Sequence, residues 1–121
     1  MTKTVLTIDD SRTMRDMLRL ALTEAGFKVI QAEDGVHGLE VLNANQPDII
    51  VTDINMPRMD GFGVIESVRK ESRYRHIPVL VLTTESDQEK KARAKQAGAT
   101  GWIVKPFEPA KLVAAIRRVS A

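Results

Sequence analysis

Four short apolar runs in this chain end in side chains that can do chemistry. Thr4–Ile8 leads into Asp9-Asp10-Ser11, and Asp48–Thr52 into Asp53-Ile54-Asn55-Met56-Pro57. Val79–Leu82 is followed by Thr83-Thr84-Glu85, and Trp102–Val104 by Lys105-Pro106-Phe107. If these ends share one rim, carboxylates, a hydroxyl and an ammonium meet there. Carboxylates at about 4 Å repel by roughly 4 kcal/mol per pair at an effective dielectric near 20. Asp9, Asp10 and Asp53 are therefore tenable together if protonated, or if they hold a cation. Mg2+ suits such a cluster, because it takes one or two carboxylates, keeps several waters and completes its shell with phosphate oxygens. An aspartate can also attack phosphorus and form an acyl phosphate. Lys105 would then face the phosphoryl oxygens as a point charge, and Thr83 would donate a hydroxyl hydrogen bond. The pattern predicts a phosphoryl-aspartate site.

The elements that must position these residues follow from periodicity. The strand-like runs are the four above together with Lys28–Ala32, which ends in Glu33-Asp34-Gly35, read as turn and helix-start chemistry. Between them, Ser11–Ala25 places Met14, Leu18, Ala21, Leu22 and Ala25 on one helical face. Segments 36–44, 61–71, 87–97 and 109–119 read as four more helices. Gly26 and Gly98 stand where left-handed cap residues belong. Ser86 and Glu89 have capping-box spacing, Pro109 suits a first turn, and Asp60-Gly61 reads as a turn. Regular β/α alternation, with continuous apolar runs such as Ile49-Ile50-Val51, argues an α/β fold with a parallel sheet covered on both faces. In such sheets ligands bind beyond the carboxyl ends of the strands. That rule gathers the four polar strand ends.

Composition narrows the remaining classes. The 121 residues fit one domain, 1–121, with 43% hydrophobic residues. No cysteine is present, which excludes disulfides and thiolate chemistry. Eighteen basic and sixteen acidic side chains nearly cancel to a net charge of +2, implying neither a nucleic-acid nor a membrane partner. No signal peptide or membrane-length run is visible, so a cytoplasmic location is expected. His37 and His76 stand alone and read as surface or packing residues. Gly61-Phe62-Gly63 lacks the third glycine of a dinucleotide loop, with Glu66 in its place. Lys90, Lys91, Arg93 and Lys95 read as a solvated helix face, and Met56 and Met59 as loop packing.

Over essentially its whole length the sequence resembles the receiver domains of two-component systems. The matching features are Asp9-Asp10, Asp53 with Asn55-Met56-Pro57-x-Met59-Asp60-Gly61, Thr83, and Lys105-Pro106-Phe107. It looks most like the single-domain CheY-type chemotaxis regulators. The resemblance implies a flavodoxin-like, doubly wound five-stranded parallel sheet in the order 2-1-3-4-5 with five helices. It implies that Asp53 accepts a phosphoryl group from a histidine kinase. Asp10, Asp53 and the Asn55 backbone carbonyl would bind Mg2+ directly, and Asp9 through water. Thr83 and Lys105 would hold the phosphoryl group, with a cis bond between Lys105 and Pro106. Trp102 would occupy an aromatic switch position, its rival reading being a large strand residue at the core's edge. A departure from the pattern is Ile54, which stands where an aromatic is expected.

The expected output is a phosphorylation-dependent surface made of the fourth helix, fifth strand and fifth helix, with Lys91, Lys95 and Lys111 contributing charge. Its partner would be a downstream protein such as a flagellar motor switch or another phosphotransfer protein, and the chain itself a monomer. Alternatives are a phosphorelay intermediate or phosphate sink, or a receiver cut from a longer protein. An aspartyl-phosphate phosphatase or phosphotransferase of the haloacid dehalogenase type needs an acid/base two residues after the nucleophile. Asn55 stands there, and an amide cannot fill that role. A switch that catalyses only its own phosphorylation and dephosphorylation, not an enzyme, is expected.

Overall fold

The most apolar strands alternate their side chains between two cores. In the computed structural model, which describes residues 2–121, the elements are β1 (Thr4–Ile8), α1 (Arg12–Glu24), β2 (Lys28–Ala32), α2 (Gly35–Asn45), β3 (Ile49–Thr52), α3 (Gly61–Lys70), β4 (Val79–Thr83), α4 (Gln88–Ala97), β5 (Gly101–Val104) and α5 (Pro109–Val119). All strand pairs are parallel, in the order β2-β1-β3-β4-β5. This is the doubly wound, flavodoxin-like order that the resemblance implied. Successive residues of a strand face opposite sides. Leu6, Ile8, Ile50, Val79 and Val81 accordingly meet α2, α3 and α4 through Leu42, Phe62, Ile65, Val68 and Ala94. Val5, Ile49, Val51, Leu80 and Leu82 meet α1 and α5 through Leu18, Leu22, Leu112 and Ile116. Each fully buried Leu, Ile or Val contributes roughly 1.5–3 kcal/mol, so the sheet's centre is the rigid part on which the rim stands.

Expected boundaries hold to within a residue or so, with local differences. β3 begins at Ile49; the preceding Asp48 donates its N–H to Thr4 O at 2.9 Å, and its carboxylate accepts from the Thr4 N–H at 2.7 Å. β4 runs on through Thr83, and β5 opens at Gly101. The capping-box reading of Ser86 is overturned: Asp87 caps α4, its carboxylate accepting from the Glu89 N–H at 2.8 Å. Asp60 is a helix cap as well, accepting from the Gly63 N–H at 2.9 Å. Gly26 and Gly98 take the expected positive φ, at 95° and 114°. Among the described residues no helix is long and apolar enough to cross a membrane.

Candidate functional site

Parallel pairing delivers the polar strand ends to one rim. The Asp9 N–H donates to Ala32 O at 3.1 Å and the Asp53 N–H to Ile8 O at 2.9 Å, which extends the ladder one residue past β1 and β3. The Lys105 N–H donates to Thr83 O at 2.8 Å, so the fifth strand's end is tied to the fourth's. From that position the Lys105 ammonium reaches across the rim. It donates to Asp9 Oδ2 at 2.8 Å and to Asp53 Oδ2 at 3.0 Å. The Lys105–Pro106 bond is cis, as the resemblance implied.

The three aspartates are not equivalent. Asp9 is 2% exposed, and both of its oxygens are engaged: Oδ1 accepts from the Ser11 N–H at 2.9 Å, Oδ2 from Lys105. The Asp53 side chain is 11% exposed; its Oδ2 accepts from Lys105 and its Oδ1 from the following Ile54 N–H at 2.6 Å. Asp10 faces solvent. Burial is the main influence on Asp9 and raises its pKa, against the lowering effects of Lys105 and the Ser11 amide. Burial alone would lower Lys105, but its bonds to Asp9 and Asp53 outweigh that and hold the ammonium above its ordinary value.

One carboxylate oxygen from each of Asp9, Asp10 and Asp53 lies within 4.8 Å of the others. With all three ionised, Lys105 leaves two negative charges uncompensated, which a dication would match. Hard oxygen donors without sulfur or imidazole fit Mg2+ rather than a softer metal. Asp10, exposed, offers a carboxylate with no hydrogen-bond partner among the described residues.

The loop after Asp53 must turn back sharply. The Gly61 N–H donates to Ile54 O at 2.9 Å. A Cβ on Gly61 would collide with the Asp53 carbonyl oxygen, so only glycine permits this return directly behind the site. Asn55 is exposed on the outward part of the loop, and Met56 and Met59 pack inward as expected.

With this geometry the comparison with known proteins is decisive: residues 5–117 match the response regulator receiver domain. The chain belongs to that family. A CheY1 chemotaxis protein of Helicobacter pylori (strain 26695) is 40% identical over 107 residues, covering 87% of this chain and 86% of its own length. A probable transcriptional regulator, ycf27, of Porphyridium aerugineum is 39% identical over 95% of this chain, which spans only 47% of that relative. Among solved structures, the Vibrio cholerae chemotaxis protein CheY4 superposes with a TM-score of 0.93 at 43% identity, covering 98% of this chain and 99% of its own. The family relation makes this chain a response regulator receiver, and the relatives named here are two chemotaxis proteins and a probable transcriptional regulator.

On the receiver's α4–β5 side, Trp102 is half-buried and packs against the sheet's core, so the rival reading of it as core cover has a structural basis. Its indole N–H donates to Glu85 O at 3.1 Å, while the Glu85 N–H donates to the Thr83 hydroxyl oxygen at 3.3 Å. Glu85 thus links the rim to the tryptophan. Lys91 and Lys95 line a groove with Trp102 between α4 and β5. Lys111 lies apart on α5, 80% exposed and 3.7 Å from Glu108.

Sequence reasoning missed an ion pair behind the rim. Arg58 donates from Nε to Asp34 Oδ2 at 2.8 Å and from Nη2 to Asp34 Oδ1 at 3.1 Å. Asp34 is the N-cap of α2 as well, its Oδ1 accepting from the His37 N–H at 2.8 Å. Only the helix-start half of its role was legible.

Proposed function

We propose that this receiver is a single-domain switch, residues 1–121, which takes a phosphoryl group onto Asp53 with Mg2+ bound beside it, the donor being a histidine kinase in the cytoplasm. The observation that carries the reading is the Lys105 ammonium, held between Asp9 and Asp53 and tied through its backbone to Thr83. An Asp53 oxygen attacks phosphorus, the bond to the donor nitrogen breaks, and the nitrogen keeps the electron pair. Asp10, Asp53 and the Asn55 carbonyl would hold Mg2+, which would neutralise charge on the phosphoryl group. Lys105 exchanges part of its carboxylate contact for a phosphoryl oxygen, and the Thr83 hydroxyl donates to another. Asn55 offers no acid or base to a hydrolytic water, which suits a signal that persists.

The output reading follows the relatives whose names concern chemotaxis and whose lengths this chain nearly matches. The receiver acts as a monomer through α4, β5 and α5, with Trp102, Lys91, Lys95 and Lys111, on a downstream target such as a flagellar motor switch. The ycf27 relative favours a second reading of the output, in which the same phosphorylated receiver serves a longer regulator. The test of the chemistry is labelling by acetyl phosphate and Mg2+. Wild type is expected to gain one acid- and hydroxylamine-sensitive phosphoryl group and Asp53→Asn none. Equal labelling of that variant refutes the assignment.

A further inference from the structure

We propose that Arg58 is a positioning residue for the cation site: its ion pair with Asp34 fastens the β3–α3 loop to the start of α2 and thereby holds the Asn55 carbonyl at the acidic rim. The inference rests on the reading of that rim as a Mg2+-dependent phosphoacceptor site.

The loop is fixed at its two ends, with Met56 packed inward between them. At its near end, Asp53 is bonded to Ile8, and Ile54 O accepts from Gly61. At its far end, the Gly35 N–H donates to Met59 O at 3.1 Å, and Gly35 abuts that oxygen so closely that no Cβ would fit. The Met59 N–H also donates back to Pro57 O at 2.7 Å, closing a three-residue turn around Arg58. Arg58 sits in that turn at φ 66°, a left-handed conformation that a residue with a Cβ rarely adopts. Such a conformation persists where its surroundings over-determine it. Here the surroundings are a two-bonded guanidinium–carboxylate fork onto Asp34, itself 4% exposed and anchored as a helix cap. Between the two ends lie Asn55, Met56 and Pro57, so the direction of the Asn55 carbonyl is set by where the ends are pinned.

A magnesium site is sensitive to this. Mg2+ demands near-ideal octahedral geometry at about 2.0–2.1 Å, so a carbonyl displaced by a few tenths of an ångström is a poorer ligand. The Arg58 side chain is 53% exposed. The Arg58 guanidinium is open to water once the pair is broken, so the pair contributes less to global stability than a fully buried one. Its loss should therefore register in cation affinity far more than in folding.

The experiment titrates Mg2+ calorimetrically into wild type, Arg58→Asn, Asp34→Asn and the double variant, and follows acetyl phosphate labelling over the same Mg2+ range. Asparagine at 58 tolerates the left-handed backbone but cannot reach Asp34, and asparagine at 34 still caps α2. Each single variant is expected to bind Mg2+ about tenfold more weakly, the lower end of what losing outer-shell support costs a metal site. The double variant should be no weaker than either single one, and labelling rates at saturating Mg2+ should stay near wild type. Folded single variants with wild-type affinity, additive losses, or a lowered saturated rate at unchanged affinity each overturn the clamp. Wild type that takes up no Mg2+ overturns the reading of the rim, and the clamp with it.

Discussion

At the scale of single residues, charge placement separates the groups that do chemistry from those that hold the loop. Lys105 sits between two carboxylates at one end of the loop, and Arg58 grips a third carboxylate at the other. The second pair gives a pH test. The Arg58 guanidinium, and after it the His37 amide, lower the Asp34 pKa below its ordinary 3.8. A carboxylate depressed by folding adds stability that is complete above its unfolded pKa and vanishes as pH falls through the folded one. Urea unfolding of wild type and Asp34→Asn should therefore differ most above about pH 5, with wild type more stable, and converge toward pH 2. A difference that stays constant across that range would mean the ion pair is not its source. The two ends of the loop also differ in legibility. Lys105 could be matched with Asp9 and Asp53 across 96 and 52 positions, because all three follow strands of one parallel sheet. Asp34, 24 positions from Arg58, follows a strand of that sheet too, but Arg58 lies farther along its loop, where the rule does not fix the chain's path.

At the scale of elements, α4 stands out for how lightly it is attached. Ala94 is its one fully buried residue. Its other attachments include Ala97 packed at the core's edge, the Lys90–Glu85 ion pair at 3.2 Å, the Arg93 guanidinium stacked 4.0 Å from the Phe62 ring centre, and the Arg69 bond to Gly98 O at 3.0 Å beyond its end. Its alanines and lysines were plain in the sequence. Its starting residue was not, since Ser86 and Asp87 are both good caps and only the folded loop decides between them. A helix burying so little apolar area can shift at small cost. The path from the rim to this helix runs from the Thr83 hydroxyl through the Glu85 backbone to the Trp102 indole. If phosphorylation draws the Thr83 hydroxyl toward the phosphoryl group, Glu85 loses that acceptor and the indole's surroundings change. Beryllofluoride with Mg2+ should thus alter Trp102 emission in wild type. Thr83→Ala should suppress most of that change while Asp53 labelling remains detectable. An unchanged response in Thr83→Ala places the coupling elsewhere.

At the scale of the whole molecule, the acidic rim is a local cost carried by an otherwise well-packed sheet. Carboxylate oxygens within 4.8 Å of one another repel by up to about 3–4 kcal/mol per pair at an effective dielectric near 20. Lys105 offsets part of this at Asp9 and Asp53, but nothing in the described structure pairs with Asp10, and its solvent exposure leaves screening to do the rest. Removing that charge should stabilise the metal-free protein, by on the order of 1 kcal/mol after screening. Mg2+ should favour wild type far more than the variant. It stabilises whichever folded state binds it, by about 1.4 kcal/mol when its concentration is ten times Kd. For a domain of this size that corresponds to a rise of roughly 3–6 °C in Tm. Wild type should therefore melt lower than Asp10→Ala in EDTA, yet gain several degrees in millimolar Mg2+, where the variant gains little. The crossing of the two proteins, seen by calorimetry or circular dichroism, is the diagnostic where it exceeds what salt screening of the carboxylates alone produces. Calcium-free sodium chloride at matched ionic strength is the control. If wild type is already the more stable protein in EDTA, the three carboxylates are not in conflict and the rim is no built cation site.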